Sequence, residues 1–299
     1  MKRFSLENKS EGAAVFALGF FDGVHLGHRA VIEKAAAEAK ARGALSAVFT
    51  FTDNKALGKK GVAGEIYSAQ RRCELFEEMG VDFVVMPDFS DFSSLSPEQF
   101  ADILISRFNA VGFVCGNDFR FGKNAVGTPQ LLREISRERG VDVFVMDEVL
   151  SDGESVSSTK IREALRDGDI KTANRLLLRP YSITAKVVGG KHLGSKKLYP
   201  TINQPFSKGS APLKFGVYAS KTIYDGKIMP SVTNIGVCPT VGGQCEPNFE
   251  TYIIDADIDL YGKTVTVELF DFIREEKKFS DINSLKAQIE LDIQAARKI

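Results

Sequence analysis

The chain has 299 residues, of which 43% are hydrophobic and 26% charged, and 39 basic side chains balance 39 acidic ones. This composition is typical of a globular protein with one large domain or two ordinary ones. The zero net charge disfavours a dedicated nucleic-acid binder, which usually carries a clear basic excess. The polar start "MKRFSLENKSEG" and the shortness of the apolar runs predict a cytoplasmic protein without a signal peptide or membrane span.

Strand and helix signals alternate along the first half of the chain. Helix starts are predicted after the glycine turn at 19–28, after Ser68, and at Ser96-Pro97 and Thr128-Pro129, where a hydroxyl N-cap precedes the helix. Apolar runs on consecutive positions suit strands that are covered on both faces. The predicted strands are "AAVFAL" (13–18), "LSAVFTF" (45–51), "VDFVVM" (81–86), "VGFVC" (111–115) and "VDVFVM" (141–146). This order predicts a Rossmann-like, doubly wound parallel α/β domain.

From about residue 181 the pattern changes to short strands separated by turn signals, among them Asp225-Gly226 in "YDGK". This pattern predicts a small antiparallel β-barrel followed by a terminal helix, "SDINSLKAQIELDIQAARK". We therefore predict an α/β domain over residues 1–180 and a β-barrel domain over residues 181–299. The four cysteines are scattered and are expected to be buried free thiols, since their spacing does not fit zinc.

The stretch "GFFDGVHLGH" (19–28) contains two of the three histidines in the chain, His25 and His28. It follows the first predicted strand, at the edge where open α/β sheets bind ligands. Its glycines allow close backbone approach, and the free N–H groups of the following helix suit a phosphate. Two imidazoles three residues apart share a helix face and can stabilise charge on phosphate oxygens. A metal site is disfavoured, because no third ligand is evident nearby.

A second phosphate-binding segment is predicted at "VSSTKIREAL" (156–165). The hydroxyls of Ser157, Ser158 and Thr159 lie at a predicted helix start, where free N–H groups can hold phosphate. Arg162 projects from the same face as Thr159 and can grip phosphate oxygens through two N–H donors. An ordinary helix cap with a surface arginine is the alternative reading of this segment alone.

These segments resemble a known family. "GFFDGVHLGH" resembles the HxGH signature of the nucleotidyltransferases, and its FDG has the form found in bacterial FAD synthetases. "CGNDFRFGKNAVG" (115–127) and "VSSTKIREAL" resemble two further segments of that family, G-x-DF-x-FG and SSTxIR. The resemblance implies ATP and FMN as substrates, with His25, His28 and Arg162 as catalytic residues. The implied binding residues are Gly19, Phe20, Phe21, Asp22, Gly23, Gly116, Asp118, Ser158 and Thr159.

The barrel carries a second set of motifs. In "YPTINQP" (199–205), Thr201 and Asn203 face the same side of a strand and offer oxygen ligands suited to Mg²⁺ with ATP. The segment resembles the PTAN signature of riboflavin kinases, and "NFETYIIDADIDLYGKTVTV" (248–267) resembles their glutamate segment. The resemblance implies that Glu250 is the base on the riboflavin 5′-hydroxyl and that Arg274, in "FIREEKKF", binds substrate.

The resemblance covers Ala14 to Ala295 and implies the family of bacterial bifunctional riboflavin kinase/FAD synthetases. Such an enzyme phosphorylates riboflavin to FMN and then adenylylates FMN to FAD, with Mg²⁺ accompanying ATP. We expect small-molecule partners only, neither nucleic acid nor membrane, and a monomer or weak homo-oligomer. The chain departs from the family pattern at Leu198, Ile202 and Cys238. Two alternatives therefore stay open: an FMN adenylyltransferase with a decayed kinase domain, and a non-catalytic flavin- or nucleotide-sensing protein.

Overall fold

The computed structural model describes residues 1–52, 64–189, 199–206, 209–238, 246–256 and 258–299. The chain divides into two compact units, Met1–Ser158 and Thr159–Ile299. This division lies before the predicted domain boundary at 180/181, which stays a prediction.

Unit 1 (Met1–Ser158) is built on a six-stranded, all-parallel sheet with the strand order β1-β4-β3-β2-β5-β6. The central strand β2 is buried along its whole length, as a strand covered on both faces must be. From β2 the chain adds β3 and β4 on one side and β5 and β6 on the other, so the topological switch lies between β2 and β5. The strands are β1 (Lys2–Phe4), β2 (Ala14–Leu18), β3 (Leu45–Phe49), β4 (Phe83–Val85), β5 (Ala110–Gly116) and β6 (Asp142–Met146).

Four helices of this unit begin where the sequence predicts, and the short helix Phe89–Phe92 was not predicted. The side chains of Ser68, Ser96 and Thr128 each accept a hydrogen bond from a backbone N–H three residues later. Helix α1 buries one stripe of Val31, Ile32, Ala35 and Ala39. The helices are α1 (Leu26–Ala41), α2 (Ala69–Glu78), α3 (Phe89–Phe92), α4 (Pro97–Phe108) and α5 (Pro129–Arg137); a short hairpin, β7 (Leu150–Ser151) and β8 (Glu154–Ser155), follows.

Helix α6 (Ser158–Asp167) begins at the last residue of unit 1, and α7 (Ile170–Leu177) follows it. Unit 2 (Thr159–Ile299) then forms a six-stranded antiparallel sheet with the order β10-β13-β12-β11-β14-β9, and helix α8 (Ile282–Ala296) comes last. The strands are β9 (Tyr181–Lys186), β10 (Thr201–Pro205), β11 (Gly216–Tyr224), β12 (Lys227–Cys238), β13 (Glu246–Ile253) and β14 (Thr264–Arg274).

The sheet of unit 2 curls so that its two edges meet. Val188, just after β9, forms an isolated bridge with Asn203 of β10. The buried Gln204 side chain donates from Nε2 to the carbonyl oxygens of Ala185 and Val265, both at 2.8 Å. The bond to Ala185 joins the two edge strands of the sheet, β10 and β9, as barrel closure requires, and the bond to Val265 reaches the neighbouring strand β14. The predicted fold class, a parallel α/β domain followed by an antiparallel barrel and a helix, is confirmed.

Candidate active sites

The turn after β2 has an unusual backbone. Phe21 (φ 55°), Gly23 (φ 83°) and Val24 (φ 46°) all adopt left-handed conformations. Glycine adopts such angles freely, but a β-branched valine does so at a cost. Gly19 does not have a positive φ, but a Cβ there would lie 3.0 Å from the Phe21 ring. Strain of this kind is concentrated at functional sites, where the surrounding structure holds it in place.

The two histidines lie at the start of α1, directly after this turn. The His25 Nδ1 atom accepts the backbone N–H of His28 at 3.4 Å, so His25 is the N-cap of the helix. The two imidazoles stack with their centroids 3.6 Å apart and an interplanar angle of 19°. A Cβ on Gly27 would lie 3.3 Å from the His25 ring, so a glycine between the histidines leaves room for that ring. The motif thus presents two stacked imidazoles at a helix N-terminus, the end that favours anions.

Asp22 holds the turn from inside the unit. Its carboxylate is buried and accepts the backbone N–H groups of Ile66 at 2.9 Å and Tyr67 at 3.4 Å. Its carbonyl oxygen accepts the Ser158 hydroxyl at 3.0 Å. Asp22 and Ser158, which the sequence predicted to bind substrate, are therefore hydrogen-bonded to each other. The hydrogen bonds of Asp22 hold the backbone of the turn in its conformation.

Asp118 lies at the neighbouring strand end. It follows β5, which pairs with β2 so that Leu18 lies opposite Cys115. The carboxyl ends of β2 and β5 flank the topological switch point, the place where such sheets bind ligands. Asp118 is exposed there, and a Cβ on Gly116 would lie 2.9 Å from its Oδ1 atom. The glycine thus gives this carboxylate room to turn back over the strand end.

Thr159 and Arg162 both lie in the first turns of α6, as predicted, and Arg162 is mostly buried. Their proposed grip on phosphate stays a prediction.

The three motif residues of the barrel lie on one face of the sheet. Thr201 and Asn203 lie two residues apart on β10, so their side chains share a face, and Glu250 of β13 lies directly opposite Asn203. The Thr201 hydroxyl donates to Glu250 Oε1 at 2.9 Å, and Asn248 Nδ2 donates to Asn203 Oδ1 at 2.8 Å. These bonds orient a carboxylate, an amide oxygen and a hydroxyl toward one region. Glu250 itself is exposed, so the predicted role of base on a substrate hydroxyl is sterically open to it and stays a prediction.

Ile202, which replaces the usual alanine, points away from these groups. Its side chain packs against the buried cluster of Val187, Ile253 and Val265 on the opposite face of the strand. The added bulk therefore enters the core and leaves the motif face open. Leu198 lies outside the described residues.

Arg274 does not reach outward from the barrel as a free side chain. Its Nε and Nη2 atoms donate to both carboxylate oxygens of Asp292 at 2.7–3.1 Å, joining the end of β14 to α8. Asp292 is buried and also accepts Gln288 Nε2 at 3.0 Å. The predicted substrate-binding role of Arg274 stays a prediction, and the pairing gives it a structural role.

One buried residue beside the first site, Arg72 of α2, was not predicted from the sequence. Its Nη1 atom donates to Phe20 O and to Thr50 Oγ1, and its Nη2 atom to Phe51 O, each at 2.8 Å. It is one of two adjacent arginines in "AQRRCELFEE", and the pattern does not tell which of them is buried.

The side chains at both candidate sites have the chemistry that phosphate transfer needs, so the fold and its candidate sites fit the class of two-unit transferases. Family comparison agrees with this class. The FAD synthetase family matches residues 7–160, and the riboflavin kinase family matches residues 177–299. The bifunctional riboflavin kinase/FMN adenylyltransferase of Escherichia coli (strain K12) is 33% identical over 299 residues, spanning 98% of this chain and 95% of that protein. Its counterpart in Bacillus subtilis (strain 168) is 33% identical over 297 residues, spanning 97% and 94%.

A crystal structure described as a macrolide-efflux protein from Streptococcus pneumoniae matches with a TM-score of 0.89 at 27% identity, covering 100% of both chains. That description belongs to the S. pneumoniae protein. Within the described part of the chain, no helix has the length and apolar character needed to span a membrane.

The chain belongs to the family of bifunctional riboflavin kinases/FMN adenylyltransferases. It is an enzyme of FAD synthesis that phosphorylates riboflavin and adenylylates FMN. The predicted family and activities are confirmed.

Proposed function

We propose that unit 1 carries out adenylyl transfer at the turn that ends in His25 and His28. An oxygen of the FMN phosphate attacks the α-phosphorus of ATP, and the bond from that phosphorus to the β-phosphate bridging oxygen breaks. Pyrophosphate leaves and FAD remains. The observation that carries this proposal is the stacked imidazole pair at the N-terminus of α1, beside the switch point of the sheet.

The two imidazoles donate hydrogen bonds to the oxygens on which negative charge grows in the transition state. The N-terminus of α1 favours the same charge through its dipole. Asp118 holds substrate at the strand edge, and the motif "SSTKIR", which carries Thr159 and Arg162, binds phosphate. Alignment of two bound substrates supplies much of the acceleration, so a covalent enzyme intermediate is not required.

Unit 2 carries out the kinase reaction on the face shared by Thr201, Asn203 and Glu250. Glu250 accepts the proton of the riboflavin 5′-hydroxyl as that oxygen attacks the γ-phosphorus of ATP, and ADP leaves. The hydrogen bond from the Thr201 hydroxyl holds the carboxylate in place.

Mg²⁺ fits the chemistry of these donors. A hydroxyl oxygen and an amide oxygen are the hard ligands that this ion takes beside ATP phosphates. The Thr201 hydroxyl donates to Glu250 and keeps lone pairs for a cation. When bound, the ion neutralises charge on the transferred phosphate. We further propose a cytoplasmic monomer or weak homo-oligomer with ATP, riboflavin and FMN as its only partners.

The test supplies riboflavin and FMN separately to two variants. His28→Ala is expected to lower the conversion of FMN to FAD by at least ~100-fold, the loss typical of a transition-state donor, and to leave riboflavin phosphorylation intact. Glu250→Gln is expected to have the reverse effect. Equal loss of both activities in either variant would contradict the assignment of two separate sites.

A further inference from the structure

Arg72 is a charged side chain with no exposed surface in unit 1. Burying a cation without compensation is costly, so such a group is retained only with well-placed partners. Its terminal nitrogens donate hydrogen bonds to Phe20 O, Thr50 Oγ1 and Phe51 O. Its guanidinium also lies 4.5 Å from the centroid of the Phe20 ring. All these partners lie at the carboxyl ends of β2 and β3 or just beyond them.

These contacts act on the backbone of the histidine turn. Phe20 O accepts from both Arg72 Nη1 and Thr50 Oγ1, each at 2.8 Å, and the next residue is the left-handed Phe21. A strained backbone persists only where its surroundings fix it. A fork-shaped guanidinium that bonds two strand ends at once supplies such a constraint, which a single ammonium cannot reproduce.

The charge of Arg72 has a second consequence. Carbonyl oxygens at the carboxyl ends of strands present negative potential toward a site that must accept polyphosphate. The guanidinium turns two of those carbonyls, Phe20 O and Phe51 O, toward itself and places a positive charge behind the turn. Burial lowers the pKa of Arg72, while the charges of Glu65 and Asp22 raise it, and an arginine starts far enough above neutrality to remain a cation.

Resting on the adenylyl-transfer site proposed above, we propose that Arg72 is a positioning residue for that reaction, which fixes the Gly19–Phe21 turn, and through it the two histidines, in their reactive geometry. Displacing reacting groups by about 1 Å can cost ~100-fold in rate. Arg72→Met is therefore expected to lower kcat for FMN adenylylation by about 100-fold. Arg72→Lys is expected to recover part of this loss, because it keeps the charge but not the fork.

The control is the adjacent Arg71, which pairs with Glu74 and Glu78 on its own helix. Arg71→Met removes the same charge from the same helix and is expected to leave kcat within about twofold, as the loss of a surface ion pair does. Riboflavin phosphorylation by the same full-length chain is expected to be unchanged in every variant.

A double-mutant cycle with His28→Ala separates positioning from simple destabilisation. If Arg72 acts through the histidine turn, Arg72→Met costs much less in the His28→Ala background than in the wild-type protein. If Arg72→Met merely lowers the folded fraction, its cost is the same in both backgrounds, and that result would overturn the proposal. An equal loss in Arg71→Met, or parallel loss of riboflavin phosphorylation, would also overturn it.

Discussion

The Arg274–Asp292 pair allows a sharp test, because it can be broken without touching the motif residues of the kinase site. Asp292 is 2% exposed and Arg274 21%, and three N–O contacts of 2.7–3.1 Å join them. Removing one partner of a buried pair costs ~3–5 kcal/mol, because the other charge is left without compensation. Water can reach the Arg274 guanidinium in part, so we expect Asp292→Asn to cost about 3 kcal/mol, the low end of that range.

For a unit of this size, such a loss lowers the thermal midpoint by about 10 °C. The assay is brief heating of the full chain followed by separate measurement of riboflavin phosphorylation and FMN adenylylation. The midpoint for loss of kinase activity is expected to fall, because α8 loses its anchor to the end of β14. A fall of less than about 3 °C would refute the reasoning, since that is the behaviour of a solvent-exposed ion pair.

A double variant then decides the role of Arg274. In Arg274→Met/Asp292→Leu both charges are replaced by apolar groups, which is often neutral for stability. We expect the thermal midpoint to return close to the wild-type value. If riboflavin phosphorylation returns with it, the role of Arg274 is structural. If the fold recovers and the kinase activity does not, Arg274 acts on the substrate, as the sequence predicted.

The remaining predictions concern a kinase ligand, the Cys115 thiol and a turn. Thr201→Val is expected to raise the Mg²⁺ concentration that half-maximal riboflavin phosphorylation needs, with the Mg²⁺ dependence of adenylylation as control; an unchanged requirement would remove Thr201 from the ligand set. Burial raises the pKa of Cys115 to about 12, so iodoacetamide at about pH 8 should leave this thiol unmodified until urea unfolds the chain. The unfolded chain ionises this thiol near pH 8.5, the ordinary thiol pKa, whereas the folded chain keeps it protonated up to about pH 12. The free energy of unfolding is therefore unaffected by this thiol below about pH 8.5 and falls as the pH rises from there toward about 12. In urea titrations, a Cys115→Ala variant should lack this alkaline loss of stability. Gly226→Ala should cost about 1 kcal/mol in urea unfolding, because Gly226 has φ 71° and its Cβ would meet nothing, so that only the backbone conformation matters.

The features that the sequence predicted correctly depend on residues close together in the chain. The hairpin at Asp225-Gly226 forms with φ 50° and 71°, as this dipeptide favours. The helix start after Ser68 and the start of α6 at Ser158 also follow from local chemistry. Such features can be predicted because the interactions that stabilise them lie between residues a few positions apart in the chain.

The features that it missed depend on distant partners. The edge strand β1 has only Phe4 as an apolar residue and pairs with β4, far along the chain, so no local pattern reveals it. Arg71 and Arg72 are adjacent and chemically equivalent, and only the packing of α2 buries one of them. The hydroxyls of Ser220, Thr222, Ser231, Thr233 and Thr251 form a buried hydrogen-bonded ladder, where strand alternation alone favours apolar side chains.

The histidine turn shows why a motif is not sufficient for its own geometry. The left-handed conformations of Phe21 and Val24 cost about 1–2 kcal/mol each. Within the motif, the Val24 N–H donates to Phe21 O at 3.1 Å, and the Phe21 ring packs edge-on against His28. Three further hydrogen bonds that hold the turn come from elsewhere in the unit: from Thr50 after β3, from Arg72 on α2 and from Ser158 at the start of α6. A motif transplanted onto another strand, turn and helix would lack these three contacts and would relax. The chemistry of the two histidines is therefore a property of unit 1 as a whole.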